Sequence, residues 1–150
     1  KVVMDIILPT VKGEFGETPE IEFPEGAEPP AGLRIKVLQE GDGPVVSAGD
    51  EIECEYHGQI WGGEIFDSSY YRDGKAVFPI GVGMVIEAWD EALVGRQIGT
   101  RLLISVPPFK GYGPNGNPRA GIRGDDTLAF VVDIYGIKES AFNFNTLHDN

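Results

Sequence analysis

Residues 86–95, Ile-Glu-Ala-Trp-Asp-Glu-Ala-Leu-Val-Gly, are the stretch that decides the fold. Ile86, Trp89 and Leu93 stand at positions i, i+3 and i+7, a spacing that places apolar side chains on one face of an α-helix. Gly95 follows at the position where glycine commonly ends a helix. Only this segment has helical spacing, so the sequence predicts one short amphipathic helix.

On both sides of the predicted helix, apolar residues alternate with polar ones, which is the pattern of half-buried β-strands. Turn residues separate these runs: Gly62-Gly63 indicates a tight turn, Pro107-Pro108 ends a strand, and a Gly/Pro/Asn-rich loop runs from Phe109 to about Asp126. The predicted strands carry alternating apolar residues at Leu33, Ile35 and Val37; at Ile52, Cys54 and Tyr56; at Leu102, Ile104 and Val106; and at Leu128, Phe130, Val132 and Ile134, with a shorter strand at Ala76 to Ile80.

A sheet that is apolar on one face and charged on the other must bury its apolar face. The helix at 86–93 is the only predicted element that could cover such a sheet. We therefore predict the α+β class, with an antiparallel sheet wrapped around one short helix.

The two ends of the chain differ from this pattern. Residues 1–32 are acidic and punctuated by five prolines, which predicts an extended arm that packs on the domain or serves as a linker, with a short strand near Ile21 and Phe23. Residues 33–137 form the predicted domain, and residues 138–150 a loose tail. Because the chain begins at Lys1 rather than Met, both a cytoplasmic and an exported location stay open.

Composition narrows the classes of partner. The formal net charge of −12 disfavours nucleic acid and anionic membrane surfaces, which would repel the protein. No run of apolar residues is long enough to span a membrane. The single cysteine, Cys54, excludes an internal disulfide, and its place in an alternating run indicates a small buried residue rather than a catalytic thiol.

Metal and nucleophilic chemistry have little support in the sequence. The two histidines, His57 and His148, have no neighbours at metal-ligand spacing, and Asp125-Asp126 is more typical of a solvated loop than of a calcium site. No serine lies in a nucleophile elbow, and Gly81-Val82-Gly83 lacks the remaining residues of a phosphate-binding loop. We therefore predict no metal and no cofactor.

Aromatic residues interleaved with a few polar ones are the remaining candidates for function. Such a set is most often an ordinary aromatic core. Two details favour a pocket instead: the Asp67 carboxylate directly follows Phe66, and Tyr112 lies between two loop glycines, where it has no packing role in a sheet. The set comprises Tyr56, Phe66, Asp67, Trp89, Tyr112 and Phe130.

The order of these residues resembles the FKBP family of peptidyl-prolyl cis/trans isomerases over about residues 33 to 137. No single motif is specific, but six occur in order with matching gaps. The leader around Phe15-Gly16 and Phe23-Pro24 is also similar to that of actinobacterial members. The motifs are Tyr56-His-Gly, Phe66-Asp-Ser-Ser, Gly81 to Val85-Ile86 and Trp89-Asp-Glu, Gly99, Gly111-Tyr112-Gly113, and Thr127 to Phe130.

The resemblance implies a half-barrel of antiparallel strands around one helix, with a pocket between them. Trp89 would form its floor, and Tyr56, Phe66 and Phe130 its walls. The Ile86 N–H and the Tyr112 hydroxyl would each hold a substrate carbonyl, with Asp67 near the twisting amide. The rest of the implied substrate-binding set is Met84, Val85, Arg72 and, at the rim, Ile122. This chain departs from the family at Ala76, where relatives often have an aromatic, and at Asn117, where some have histidine.

Three functions follow as hypotheses. The first is an isomerase that accelerates X–Pro rotation in client proteins, by desolvation and hydrogen bonding in an aromatic pocket. The second is a non-catalytic peptide-binding or chaperone module that uses the same pocket, and the third is a β domain with a solid aromatic core. The resemblance implies proline-containing peptides and the macrolides tacrolimus and rapamycin as ligands, and we expect a monomer.

Overall fold

The alternating runs form strands in the structure, a computed structural model that describes residues 6–138. The predicted tail beyond Lys138 and His148 lie outside the described residues. Among those described there are eight strands and one α-helix, together with three short 3-10 turns. The strands are β1 (Thr10–Lys12), β2 (Glu20–Glu22), β3 (Arg34–Gln39), β4 (Glu51–Ile60), β5 (Ile65–Ser68), β6 (Ala76–Pro79), β7 (Arg101–Val106) and β8 (Leu128–Lys138), and the helix is α1 (Glu87–Leu93).

Six strands form one antiparallel sheet in the order β3-β7-β8-β4-β5, and β6 pairs with the first half of β4. The long strand β4 pairs along its whole length with β8, and register shifts in several ladders let the sheet bend. The sheet curves around α1 but stays open. The predicted α+β class is therefore confirmed, with an antiparallel sheet around a single helix in the described chain.

The helix α1 lies on the concave face of the sheet, because its apolar stripe needs cover. Ala88, Trp89, Ala92 and Leu93 are buried there, within the main core cluster. The helix begins one residue later than predicted, since Ile86 is the N-cap. Gly95 adopts a left-handed backbone with φ of 90°, as its predicted role at the helix end requires.

The convex face of the sheet differs from the prediction. We expected a charged, solvent-facing surface, but all six residues of β7 are buried. Leu103, Ala129 and Val131 on this face join Ile21 of the N-terminal segment in a second core cluster. The expectation was wrong at the centre of the sheet, because residues far away in sequence cover it.

That cover comes from the segment 6–32, which we predicted as an arm. It contains a two-stranded hairpin in which β1 pairs with β2, with Val11 opposite Ile21. The strand β2 was predicted from its alternation, but β1 was not.

In residues 6–138, no helix has the length and hydropathy that crossing a lipid bilayer would require.

Candidate active site

A cavity of about 430 Å³ opens between the concave face of the sheet and the N-terminal end of α1. Strands β4, β5, β6 and β8 supply its walls, the helix its floor, and the loop before the helix one side of its mouth. The lining residues are Tyr56, Phe66, Asp67, Phe78, Gly83, Met84, Val85, Ile86, Trp89, Tyr112 and Phe130.

Trp89 forms the floor of the cavity and is only 4% exposed. Three rings meet it edge to face: Tyr56 with a centroid distance of 5.3 Å, and Phe78 and Phe130 at 5.4 Å each. Phe66 packs in the same way against Phe130 at 5.5 Å. Edge-to-face pairs are the favoured aromatic arrangement, so the rings hold one another in place around an open space.

Gly58 leaves room for two of these rings. It lies opposite Phe130 in the β4–β8 ladder. A Cβ atom at this position would lie 2.6 Å from the ring of Phe66 and 2.8 Å from that of Phe130, closer than side-chain atoms normally approach. The glycine in the Tyr56-His-Gly motif therefore has a packing role beneath the cavity wall.

The polar wall of the cavity is a triangle of three side chains. Asp67 accepts one hydrogen bond from the Tyr56 hydroxyl at 2.5 Å and another from the Arg72 Nη1 at 2.6 Å. The Arg72 Nη2 in turn donates to the Tyr56 oxygen at 2.8 Å. Each member thus contacts both others, and this fixes the direction in which the carboxylate points.

The environment of this triangle keeps Tyr56 protonated. Burial, and then the hydrogen bond to Asp67, raise the pKa of Tyr56 to about 12, although the hydrogen bond from Arg72 opposes them. The pKa of Arg72 is raised as well, first by its hydrogen bond to Asp67. Near neutral pH Tyr56 is therefore a neutral phenol and Arg72 a charged guanidinium, and both donate to Asp67.

Asp90 of α1 fixes the loop at the mouth of the cavity. Its two carboxylate oxygens accept from the N–H groups of Gly81 at 2.6 Å and Gly83 at 3.0 Å. Both glycines have left-handed backbones, with φ of 84° and 79°. The pinned loop leaves Met84 70% exposed beside the cavity, with Val85 and Ile86 half-buried behind it.

Tyr112 lies on the opposite side of the mouth and is 39% exposed. Burial, and then the negative charge of Asp67, raise the pKa of this phenol, so it is a hydrogen-bond donor. The preceding 3-10 turn, Pro108–Lys110, is tied to the helix because Lys110 forms ion pairs with Glu87 and with Glu91. The mouth thus carries the Tyr112 phenol on the side opposite the loop that Asp90 holds.

The structure brings nearly all the predicted site residues together. Nine of them line the cavity. Arg72 does not line the cavity but contacts two residues that do. Ile122 lies in the main core cluster, is 3% exposed and is not part of the lining. The role of Ile122 at the rim therefore stays a prediction. The nine are Tyr56, Phe66, Asp67, Met84, Val85, Ile86, Trp89, Tyr112 and Phe130.

Sequence reasoning missed Phe78 and Gly83 as lining residues. Phe78 packs against both Tyr56 and Trp89. A signal was available, because Phe78 alternates with Ala76 on β6 and the two share a face of the strand. With Ala76 small, Phe78 is the ring that β6 contributes to the cavity.

Groups suited to other chemistry are placed differently. Cys54 is fully buried, and burial raises its pKa to about 12, so its thiol is unreactive. His57 lies 2.9 Å from the Ser68 hydroxyl, and burial lowers its pKa. Across residues 6–138, no three His, Cys, Asp or Glu side chains cluster closely enough to hold a metal ion.

Comparison with known proteins gives one consistent family. Residues 43–135 match the family model described as FKBP-type peptidyl-prolyl cis-trans isomerase. The chain is 40% identical to the FK506-binding protein of Streptomyces anulatus, over 81% of this chain and 98% of that protein. It is 39% identical to the peptidyl-prolyl cis-trans isomerase Mip of Coxiella burnetii, over 72% of this chain and 46% of that one. The crystal structure of AtFKBP13 superposes with a TM-score of 0.66 and 31% identity, over 73% of this chain and 96% of that one.

Proposed function

This chain belongs to the FKBP-type peptidyl-prolyl cis-trans isomerases, and we propose that it accelerates X–Pro rotation by desolvating the prolyl amide in the aromatic cavity. The observation that carries this proposal is the cavity itself, which is open, about 430 Å³ in volume and walled by five aromatic rings besides Tyr112 at its mouth. A solid aromatic core would leave no such space.

The chemistry required is modest. Resonance keeps an amide planar, and rotation about it costs about 18–20 kcal/mol. In the transition state the amide is twisted and its resonance is lost, so the carbonyl oxygen carries less charge and depends less on water. An apolar cavity therefore stabilises the twisted form relative to the solvated planar one, which is catalysis by differential binding. No bond is broken.

Polar groups at the mouth are placed to orient the substrate. The Ile86 N–H precedes the first turn of α1, where backbone donors have no partner within the helix. The Tyr112 hydroxyl offers a second donor on the other side. We assign them the carbonyls that flank the proline, with the ring of the proline over Trp89 and the Asp67 carboxylate beside the rotating amide.

The magnitudes are compatible with this assignment. A rate increase of about 10⁴ corresponds to about 5–6 kcal/mol of transition-state stabilisation, at roughly 1.36 kcal/mol for each factor of ten. Desolvation together with one or two oriented hydrogen bonds can supply that much. Catalysis therefore needs no nucleophile or metal ion.

The direct test is a protease-coupled isomerisation assay on a Xaa-Phe-Pro peptide. We expect the wild-type chain to be active and the Asp67→Asn variant to lose about tenfold in kcat/KM, equal to roughly 1.4 kcal/mol. The amide keeps the shape of the side chain but removes the charge that pairs with Arg72 and one of its two acceptor oxygens.

Asp73→Asn is the matched control, because Asp73 is an exposed carboxylate in the same loop and should retain wild-type activity. An isomerisation rate with the wild-type chain that equals the uncatalysed rate would contradict the isomerase assignment. If peptide binding persisted in that case, the protein would instead be a binding module that uses the same cavity.

Macrolide binding is the second part of the proposal. The Streptomyces relative is named an FK506-binding protein, and the cavity of this chain offers an apolar floor with donors at its mouth. We expect tacrolimus and rapamycin to raise the melting temperature and to inhibit isomerisation competitively. A thermal-shift titration checks the first effect, and an absence of shift in both titrations contradicts this part.

Gly58→Ala is expected to reduce kcat/KM by about 3–10-fold, which corresponds to a loss of roughly 0.6–1.4 kcal/mol of transition-state stabilisation. The added methyl group would displace the Phe66 and Phe130 rings into the cavity. Rapamycin affinity should fall in parallel, as measured by isothermal titration calorimetry.

Gly62→Ala is the control in the same strand–turn unit, because nothing lies within 4 Å of its added Cβ, although its φ of 66° introduces local strain. Equal losses in both variants would mean that general destabilisation, rather than the cavity wall, is responsible.

A further inference from the structure

A buried ion pair lies on the convex face of the sheet, on the side away from the cavity. Arg101 of β7 is 1% exposed and Asp133 of β8 is fully buried, with 2.9 Å between the Arg101 Nε and the Asp133 Oδ1. The two residues are opposite each other in the β7–β8 ladder. Because burying two charges is costly, their remaining donors and acceptors need partners.

The N-terminal segment supplies most of those partners. The Arg101 guanidinium donates to the carbonyls of Gly13, Glu14 and Glu17, each at 2.6 Å. In the opposite direction, the Gly16 N–H donates to the Asp133 Oδ2 at 2.8 Å. The turn at residues 13–17 is therefore wrapped around the ion pair and held to it at four points.

The same carboxylate oxygen also holds a segment of the candidate active site. The Tyr70 hydroxyl donates to the Asp133 Oδ2. Tyr70 lies in the 3-10 turn Ser69–Tyr71, and the Ser69 hydroxyl in this turn accepts from the Tyr56 N–H at 2.8 Å. Arg72, which pairs with Asp67, follows directly.

A second contact holds the other end of this loop. Tyr135 follows Asp133 by two residues on β8, and its ring contacts both the N-terminal turn and the loop. The Phe15 ring of the N-terminal turn packs on it with a centroid distance of 4.8 Å, and the Lys75 ammonium lies 4.6 Å from its centre. The loop 69–75 is thus attached at both ends to the face that the N-terminal turn covers.

From these contacts we infer that Tyr70 and Asp133 are positioning residues, through which the N-terminal turn 13–17 fixes Arg72 and hence the Asp67 carboxylate. This inference rests on the proposed isomerase function. It makes residues 13–17 a functional part of the domain rather than a linker. Neither Tyr70 nor Asp133 lines the cavity, so both act through Arg72.

The test compares two single-atom deletions in the full chain. Tyr70→Phe removes only the hydroxyl that Asp133 holds, and we expect kcat/KM for the Xaa-Phe-Pro peptide to fall about 3–10-fold per folded molecule. Tyr71→Phe removes the neighbouring hydroxyl from a side chain that is 65% exposed, and it should keep the wild-type value. Circular dichroism at the assay temperature establishes the folded fraction.

Two further readouts separate positioning from mere stabilisation. In an Arg72→Leu background, Tyr70→Phe should have no additional effect on kcat/KM, because the group through which it acts is absent. In ¹H–¹⁵N spectra, the guanidinium resonances of Arg72 should shift in Tyr70→Phe and stay in place in Tyr71→Phe. A variant that only weakens the fold would leave both kcat/KM per folded molecule and the Arg72 resonances unchanged.

The outcomes also separate this inference from the proposed function. Wild-type kcat/KM and unshifted Arg72 resonances in Tyr70→Phe would overturn the positioning role and leave the isomerase assignment intact. An inactive wild-type chain would overturn the isomerase assignment, and the Arg72 resonances would then decide whether the turn is still coupled to Asp67. Additive losses in the Arg72→Leu background would contradict the route through Arg72.

Discussion

Replacing Arg101 by methionine is expected to lower the free energy of unfolding by about 3–5 kcal/mol, because it leaves the Asp133 carboxylate buried without its counter-charge. Methionine keeps much of the length of the side chain, so the loss is electrostatic more than steric. The three hydrogen bonds to the N-terminal turn are lost as well. Urea unfolding followed by circular dichroism measures the change.

The loss in free energy of unfolding of the Arg101→Met variant should depend on pH. Burial already raises the pKa of Asp133, opposed by the Tyr70 hydroxyl, the Gly16 N–H and Arg101. Without Arg101 the folded protein favours the protonated carboxyl still more strongly, so stability is lost as the pH rises through that pKa. We expect a smaller difference from wild type at about pH 5 than at about pH 8.

The double variant Arg101→Met with Asp133→Leu is the control, because it removes both charges and should recover part of the lost stability. The single variant should also be cut by proteases near residues 13–17 before the wild type is. A loss below about 1 kcal/mol at neutral pH would place the pair among weak surface ion pairs and contradict its buried role.

This ion pair also shows where prediction from the sequence stops. Strands such as β8 and the helix α1 could be predicted because their periodicity is complete within a few adjacent residues. Arg101 precedes Leu102, and Asp133 lies between Val132 and Ile134. Charges that alternate with apolar residues in this way are typical of the solvent-facing side of a half-buried strand. Their burial depends on Gly13, which lies 88 positions from Arg101, and no local pattern reports a contact of that range.

The candidate site could be predicted to a similar extent. The resemblance located residues with distinctive motifs, such as Trp89 and Tyr112. Phe78 was missed because its place in the cavity depends on β6 pairing with β4. Ile122, assigned to the rim, lies in the main core cluster beside an isolated bridge with Asn117, and its part in substrate binding stays a prediction.

Trp89→Ala is expected to lower kcat/KM at least about 30-fold, equivalent to roughly 2 kcal/mol or more of transition-state stabilisation. The substitution removes the floor on which the proline ring would rest and lets water into the cavity. It also removes the edge-to-face contacts with Tyr56, Phe78 and Phe130. The free energy of unfolding should fall by about 3–5 kcal/mol, as for other buried large-to-small changes.

The chain offers a matched control in its other tryptophan. Trp61 packs on Phe23 of the N-terminal segment, with a centroid distance of 5.4 Å, and is not part of the cavity. Trp61→Ala should therefore lower stability while keeping the activity of each folded molecule. In a Trp61→Phe background, Trp89 is the only tryptophan, so its emission should change when rapamycin or a prolyl peptide enters. An unchanged emission together with full activity of Trp89→Ala would show that catalysis does not take place over this residue.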